Sequence, residues 1–168
     1  MIARRADADA GAGAGAGAGA DADADPDAQA PVPGALAALD PGRSKCGLVR
    51  TDLHRSQIVA ALVLPPEAAL ARLRQWQAEA PVTLLLLGAG TGSAPWRTSL
   101  QGLVDFELVE EGGTTLAARR RYWQLAPARG WQRLLPQGLR QPPRDWDDVV
   151  AQVLIERWLG RELPRLDC

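Results

Sequence analysis

The sequence predicts an α/β domain built on a mixed sheet, three antiparallel strands followed by parallel crossovers, with helices on its faces. Three observations predict it. Short apolar runs at residues 36–39, 46–51 and 58–64 follow one another with only brief connections, the pattern of an antiparallel meander. Val82–Leu87 is an apolar run of the kind expected of a strand buried on both faces. Stretches of helical apolar spacing lie between and after these runs, so the order reads βββαβαβα with one extra helix before the last.

Each element has its own signal. Leu36–Leu39 is ended by Asp40-Pro41-Gly42, a strong turn sequence. Second and third strands fall at Cys46–Thr51 and Ile58–Leu64. Pro65-Pro66 opens a helix, where proline is tolerated in the first turn, and Ala69, Leu70, Leu73 and Trp76 recur at helical spacing. After Val82–Leu87 comes the glycine-rich loop Gly88–Gly92, then a helix around Pro95–Leu103 and a fifth strand at Phe106–Glu111. Thr114 or Thr115 is placed to cap the next helix, which should end near Pro127. Residues 129–144, rich in Pro, Gly and Arg, read as loop, and Asp145 caps a last helix running to about Leu159.

The first thirty residues cannot join a core. Between Ile2 and Val32 there is no large apolar side chain, and Gly11–Ala20 merely alternates Gly and Ala, so nothing offsets the entropy of ordering. This segment reads as a disordered tail or as translation from an upstream start codon; it is acidic after Arg4-Arg5 and has no apolar h-region, so it is not a secretory signal. The domain is expected over residues 31–162, with a short C-terminal tail at 163–168. The tail also masks the domain's charge. Six Asp and two Arg in residues 1–30 carry −4, so the total of −1 leaves +3 on residues 31–168. Nearly all of that positive charge is arginine, with Lys45 the only lysine. No eighteen-residue apolar run exists, so no membrane span is expected. Cys46 and Cys168 form no CxxC pair, which suits reduced thiols in the cytoplasm, and a lone His54 argues against a triad or a multi-histidine zinc site.

Three acidic residues fall at element ends. Asp40 closes the first strand, Glu111 closes the fifth and Asp147 starts the last helix. In an open α/β sheet, functional groups gather where strands end and side chains can converge. Carboxylates gathered there repel unless a cation lies between them, and hard oxygen ligands select magnesium or manganese. Two such ions about 4 Å apart can activate a water and stabilise a leaving oxygen in phosphodiester hydrolysis. Plainer roles exist for each: a turn for Asp40, a solvated strand end for Glu110-Glu111, helix capping for Asp145, Asp147 and Asp148. On a helical wheel Trp146, Val149, Val150, Val153 and Leu154 share one arc; Asp147 lies at its edge and Asp148 points away, so Asp147 is the better placed to face the sheet.

Together these segments are more specific than any one of them. Leu39-Asp40-Pro41-Gly42-Arg43-Ser44-Lys45-Cys46-Gly47-Leu48 resembles the opening motif of the YqgF/RuvX family, RNase H-like proteins described as Holliday junction resolvases or pre-16S rRNA processing nucleases. Val109-Glu110-Glu111-Gly112-Gly113-Thr114-Thr115-Leu116-Ala117-Ala118-Arg119 looks like its second motif, and Asp147-Asp148-Val149-Val150-Ala151 like its third. The order and spacing fit across residues 35–160, and Lys45-Cys46-Gly47, Arg121-Tyr122-Trp123-Gln124 and Leu134-Leu135-Pro136-Gln137-Gly138 look closest to a cyanobacterial branch. The resemblance implies an RNase H-like fold and a metal-dependent endonuclease acting on structured RNA or branched DNA, with Asp40, Glu111 and Asp147 as catalytic ligands of Mg2+ or Mn2+. A homodimer would suit a resolvase, because a junction has two strands to cut. The wording departs from the family at Glu110 (usually Asp), Gly112 (usually Arg) and Gly88-Ala89-Gly90 (usually Gly-Leu-Pro).

The expected nucleic-acid surface comprises Arg43 and Lys45 in the first turn, Thr115 and Arg119 beyond Glu111, and Arg140 and Arg144 in the loop before Asp147; cations beside carboxylates suit a phosphate backbone gripped at a metal centre. Arg119, Arg120 and Arg121 fan over about 200° of helix, so not all can face one substrate. Trp76, Trp146 and Trp158 sit on apolar helix faces and read as core. Two enzyme alternatives fail on length. Leu84–Gly92 mimics the strand and loop of an S-adenosylmethionine-dependent methyltransferase, but too few strands can follow it; an actin-like or sugar-kinase ATPase needs two lobes. The stronger alternative is a non-catalytic RNase H-like module that binds nucleic acid or a protein partner, suggested by Glu110 and Gly112.

Overall fold

The computed structural model describes residues 33–166 apart from 129, 137, 138 and 141. The expected tail at 1–30 and Cys168 lie outside the described residues. Strands β1 (Ala35–Asp40), β2 (Cys46–Thr51), β3 (Ile58–Leu64), β4 (Val82–Gly88) and β5 (Phe106–Val109) form one sheet in the order β3-β2-β1-β4-β5. β2 pairs antiparallel with both β1 and β3, while β1 with β4 and β4 with β5 are parallel. Helices α1 (Pro66–Glu79), α2 (Ser93–Leu100), α3 (Thr114–Leu125) and α4 (Asp147–Leu159) complete it. This is the fold class expected from the sequence.

The central strand explains the layering. Ala37 and Leu39 of β1 face one core with Leu85 and Leu87 of β4, covered by Ala69, Leu73 and Trp76 of α1 and by Trp96 and Leu100 of α2. Leu36 and Ala38 face the opposite core with Leu86, covered by Ala151, Leu154 and Ile155 of α4 and by Leu163. α3 reaches the molecule through α4, packing Ala118, Tyr122 and Trp123 on Val149 and Val153. Each fully buried leucine contributes roughly 1.5–3 kcal/mol by leaving water, so β1, filled on both faces, is held firmly. β1, β4 and β5 are parallel, with Leu39 opposite Leu87 and Gly88 opposite Val109. Their C-terminal ends therefore line one edge of the sheet.

Several boundaries differ from expectation. β5 stops at Val109, whose carbonyl accepts the Ala89 N–H, so Glu111 lies two residues beyond the strand. Neither Thr114 nor Thr115 caps α3; its N-cap is Gly113 at φ 70°, a left-handed conformation that favours glycine. Asp145 does not cap α4. The N-cap is Trp146, without a side-chain cap, and Asp145 is drawn off to Lys45. The loop at 129–144 contains a 3-10 turn at Gly130–Leu134. The tail expected from 163 is instead packed through Leu166: Leu163 is buried, Ile58 N–H donates to the Pro164 carbonyl, and Leu166 N–H donates to the Ile58 carbonyl. Trp158 is not core. It is 39 % exposed, donates to Glu107 and lies beside the Arg55 guanidinium.

Candidate functional site

Asp40 sits at the last position of β1, opposite Gly47 of β2 and beside the end of β4. Five fully buried residues precede it, which anchors the backbone while the carboxyl emerges at the sheet edge. Burial pushes that carboxyl up from 3.8 to about 7, and the charges of Glu111 and Asp147 push it the same way.

Glu111 comes from the turn after β5 and folds back over the end of β4. The glycines of that loop provide the room. A Cβ on Gly88 would overlap Glu111 Oε1 and come 3.1 Å from Pro41 Cδ; one on Gly90 would come 2.7 Å from Glu111 Oε2. Hence Gly88-Ala89-Gly90, which as a sequence mimics a nucleotide-binding loop, serves here as the floor on which the Glu111 carboxylate lies. Glu111 Oε1 is buried and has no hydrogen-bond partner among the described residues. A buried, unpartnered carboxylate oxygen is unfavourable by itself.

Asp147 is the first residue of α4. Gly47 in β2 sets its position, because a Cβ there would overlap the Asp147 carbonyl. Any larger residue would push the helix start off the sheet. Burial raises the Asp147 carboxyl above its ordinary range; its own N–H opposes the rise, Asp145 and Asp148 add to it, and Lys45 opposes it.

The three carboxylates are thus brought to one edge, but not equally. Glu111 lies over Gly88, and its charge acts on Asp40 more strongly than that of Asp147, whereas among the described residues no group of three or more His, Cys, Asp and Glu side chains is gathered to hold a metal ion. The donor set still suits a hard cation. Magnesium is commonly held by one or two carboxylates and keeps several waters, and the orphaned Glu111 oxygen beside a destabilised Asp40 carboxylate is what a cation would relieve.

The expected cationic surface is only partly free for a ligand. Arg43 and Thr115 are exposed, and Arg119 is half-buried. Lys45 forms an ion pair with Asp145. Arg140 donates to the carbonyls of Leu135 and Arg133, stapling its own loop. Arg144 grips Asp148 with both terminal nitrogens, at 2.9 and 3.1 Å, and lies over the Tyr122 ring. Arg140 and Arg144 are therefore committed to the fold. Of the arginine run, Arg121 is likewise committed, to Glu156, Glu162 and the Leu163 carbonyl.

Asp148 corrects the helical-wheel expectation. It is 2 % exposed and accepts from Arg144 and from Arg165 at 2.7 Å. Burial alone would raise its carboxyl, and the two guanidiniums outweigh that and lower it. The wheel failed because α4 is covered by the sheet, by α3 and by residues 163–166, so one arc does not describe its buried surface. Arg157, unremarked in the sequence, donates to the Gly112 carbonyl at 3.0 Å and to Thr114 Oγ1 at 2.8 Å. A bond to a backbone carbonyl 45 residues away leaves no sequence signal.

Among the described residues no helix is long and apolar enough to cross a membrane. No family model matches the chain, and no curated protein matches it. Among solved structures, T. thermophilus RuvC in complex with a Holliday junction substrate is similar at 13 % identity and a TM-score of 0.46, over 75 % of this chain and 96 % of that one.

Proposed function

We propose that the domain, residues 31–162 with the packed segment through Leu166, is an RNase H-like, metal-dependent endonuclease of the YqgF/RuvX type that hydrolyses phosphodiester bonds in structured RNA or branched DNA in the cytoplasm. The observation that carries this is the pairing at the sheet edge: a Glu111 oxygen buried without a partner beside an Asp40 carboxyl raised to about 7. Asp40 and Glu111 would hold Mg2+ or Mn2+, with Asp147 facing the same edge as the third acidic group. A bound cation there would supply Lewis-acid activation of a water and neutralisation of phosphate charge. β1 fixes Asp40, the Gly88–Gly90 floor fixes Glu111, and Gly47 fixes the start of α4. Arg43 and Thr115, both exposed, are the groups that would meet the nucleic-acid backbone.

The test is incubation of purified protein with four-way DNA junctions, duplex DNA, RNA–DNA hybrid and precursor 16S rRNA, each with Mg2+, Mn2+ or EDTA. Cleavage of a structured substrate that needs the metal and disappears in Asp40→Asn and Glu111→Gln is expected. Cleavage indifferent to EDTA, or unchanged in Asp40→Asn, refutes the proposal. The commitment of Lys45, Arg140 and Arg144 to intramolecular bonds favours the second reading, a non-catalytic binding module; binding of a junction or rRNA without cutting under any metal would establish it.

A further inference from the structure

The Glu111 carboxylate reaches its place through a weak joint. Beyond β5 the chain passes Glu110, Glu111, Gly112 and Gly113 before α3 begins at Thr114. Two successive glycines give the backbone its widest freedom, and nothing lies within 4 Å of where a Gly112 Cβ would be. Side-chain packing therefore does not hold Gly112 itself, although Glu111 Oε1 before it and Thr114 after it are buried. The turn's internal fastening is the Thr114 N–H donating to the Glu111 carbonyl at 2.9 Å.

Arg157 adds an external one. Its guanidinium, on the last turn of α4, bonds the Gly112 carbonyl at 3.0 Å and the hydroxyl of Thr114 at 2.8 Å, with Thr114 fully buried. A second nitrogen lies 3.7 Å from where a Gly113 Cβ would stand. One charged group thus ties the first glycine of the pair to the threonine that follows the second. The helix that carries it also carries Asp147, ten residues earlier and about 15 Å along the axis, and Gly47 clamps that far end to the sheet.

We infer that Arg157 is a positioning residue for Glu111: by fastening the Gly112–Gly113 joint to α4 it holds the Glu111 carboxylate over Gly88 and Gly90, facing Asp40. The inference rests on the proposed metal site for its consequence, but not for its geometry.

Two measurements on the full chain test it. Amide hydrogen exchange in EDTA should rise at least about tenfold across residues 110–116 in Arg157→Ala, with β1, β2 and the first turns of α4 unchanged. Mn2+ titration should show affinity falling about tenfold in Arg157→Ala, the loss expected for a residue that orients a ligand. Arg157→Lys should recover part of it, since one ammonium can reach one of the two acceptors. In a Glu111→Gln background Arg157→Ala should change Mn2+ affinity by less than about twofold, because a residue acting through Glu111 has nothing left to orient. Unchanged exchange at 110–116, exchange raised throughout α3 and α4, or an equal loss of Mn2+ affinity in the Glu111→Gln background would each overturn the inference. If the wild type binds no Mn2+, the metal-dependent function fails, while the exchange pattern alone still decides whether Arg157 holds the turn.

Discussion

Replacing Asp40 by asparagine should make the metal-free protein more stable at neutral pH, an unusual direction for a change at a candidate active site. The folded carboxyl has its pKa near 7, against 3.8 for the ordinary group, because burial and the charges of Glu111 and Asp147 oppose ionisation. A carboxyl raised in this way binds its proton more tightly when folded. Its penalty is absent below about pH 4, grows as pH rises toward 7, and is complete above that. Three pH units correspond to about 4 kcal/mol, reduced to about 2 kcal/mol by water reaching the open side of the site. Asp40→Asn keeps the shape and removes the penalty. Urea unfolding in EDTA at pH 4, 6 and 8 should show the two proteins alike at pH 4 and the variant more stable by about 2–4 kcal/mol at pH 8. Added Mn2+ should stabilise the wild type and leave the variant unmoved. Other acid-sensitive pairs are common to both proteins and cancel in the difference. A variant equal to or weaker than the wild type at pH 8 would refute the view that burial, with the neighbouring carboxylates, opposes ionisation of Asp40.

Gly88→Ala should separate site from fold. The added methyl meets the mobile end of Glu111, so thermal stability should fall by no more than about 1 kcal/mol, yet the stabilisation by Mn2+ should vanish in a thermal shift assay. Gly47→Ala meets the Asp147 carbonyl and the α4 backbone, which cannot swing aside, so a loss of about 3 kcal/mol or more by urea unfolding is expected. Asp148→Asn removes the partner shared by Arg144 and Arg165 and should lower stability by about 3 kcal/mol at pH 7. Because the Asp148 carboxyl is lowered in the folded state, its contribution is present above about pH 4 and is lost on further acidification, so the variant and wild type should converge in acid.

Local patterns carried the sheet: short apolar runs placed β1 to β4, and Asp-Pro-Gly placed Asp40 at a strand end. The site was legible only as three acids at three element ends. The depth of each was not, because it depends on neighbours distant in sequence. Asp145 looked like a cap until Lys45, a hundred residues earlier, drew it away. Asp148 looked exposed until Arg165 closed over it. The glycines after β4 mimic a methyltransferase loop in sequence, whereas what approaches them is Glu111, which the parallel pairing of β4 with β5 brings near. In sequence an arginine reads as surface charge, whereas Arg121, Arg140, Arg144 and Arg157 reach inward to carbonyls and carboxylates.

The position of β1 has a kinetic consequence. It is paired along both edges and buried on both faces, so Asp40 stands on backbone that opens only when the whole domain unfolds. Glu111 hangs beyond a four-residue strand at the margin of the sheet, on backbone that can open at far smaller free energy. The candidate site therefore has one fixed side and one yielding side. Arrival and departure of whatever the carboxylates bind would be timed by the yielding one, so changes around β5 and α3 should alter residence time, and changes within β1 should alter whether the protein folds.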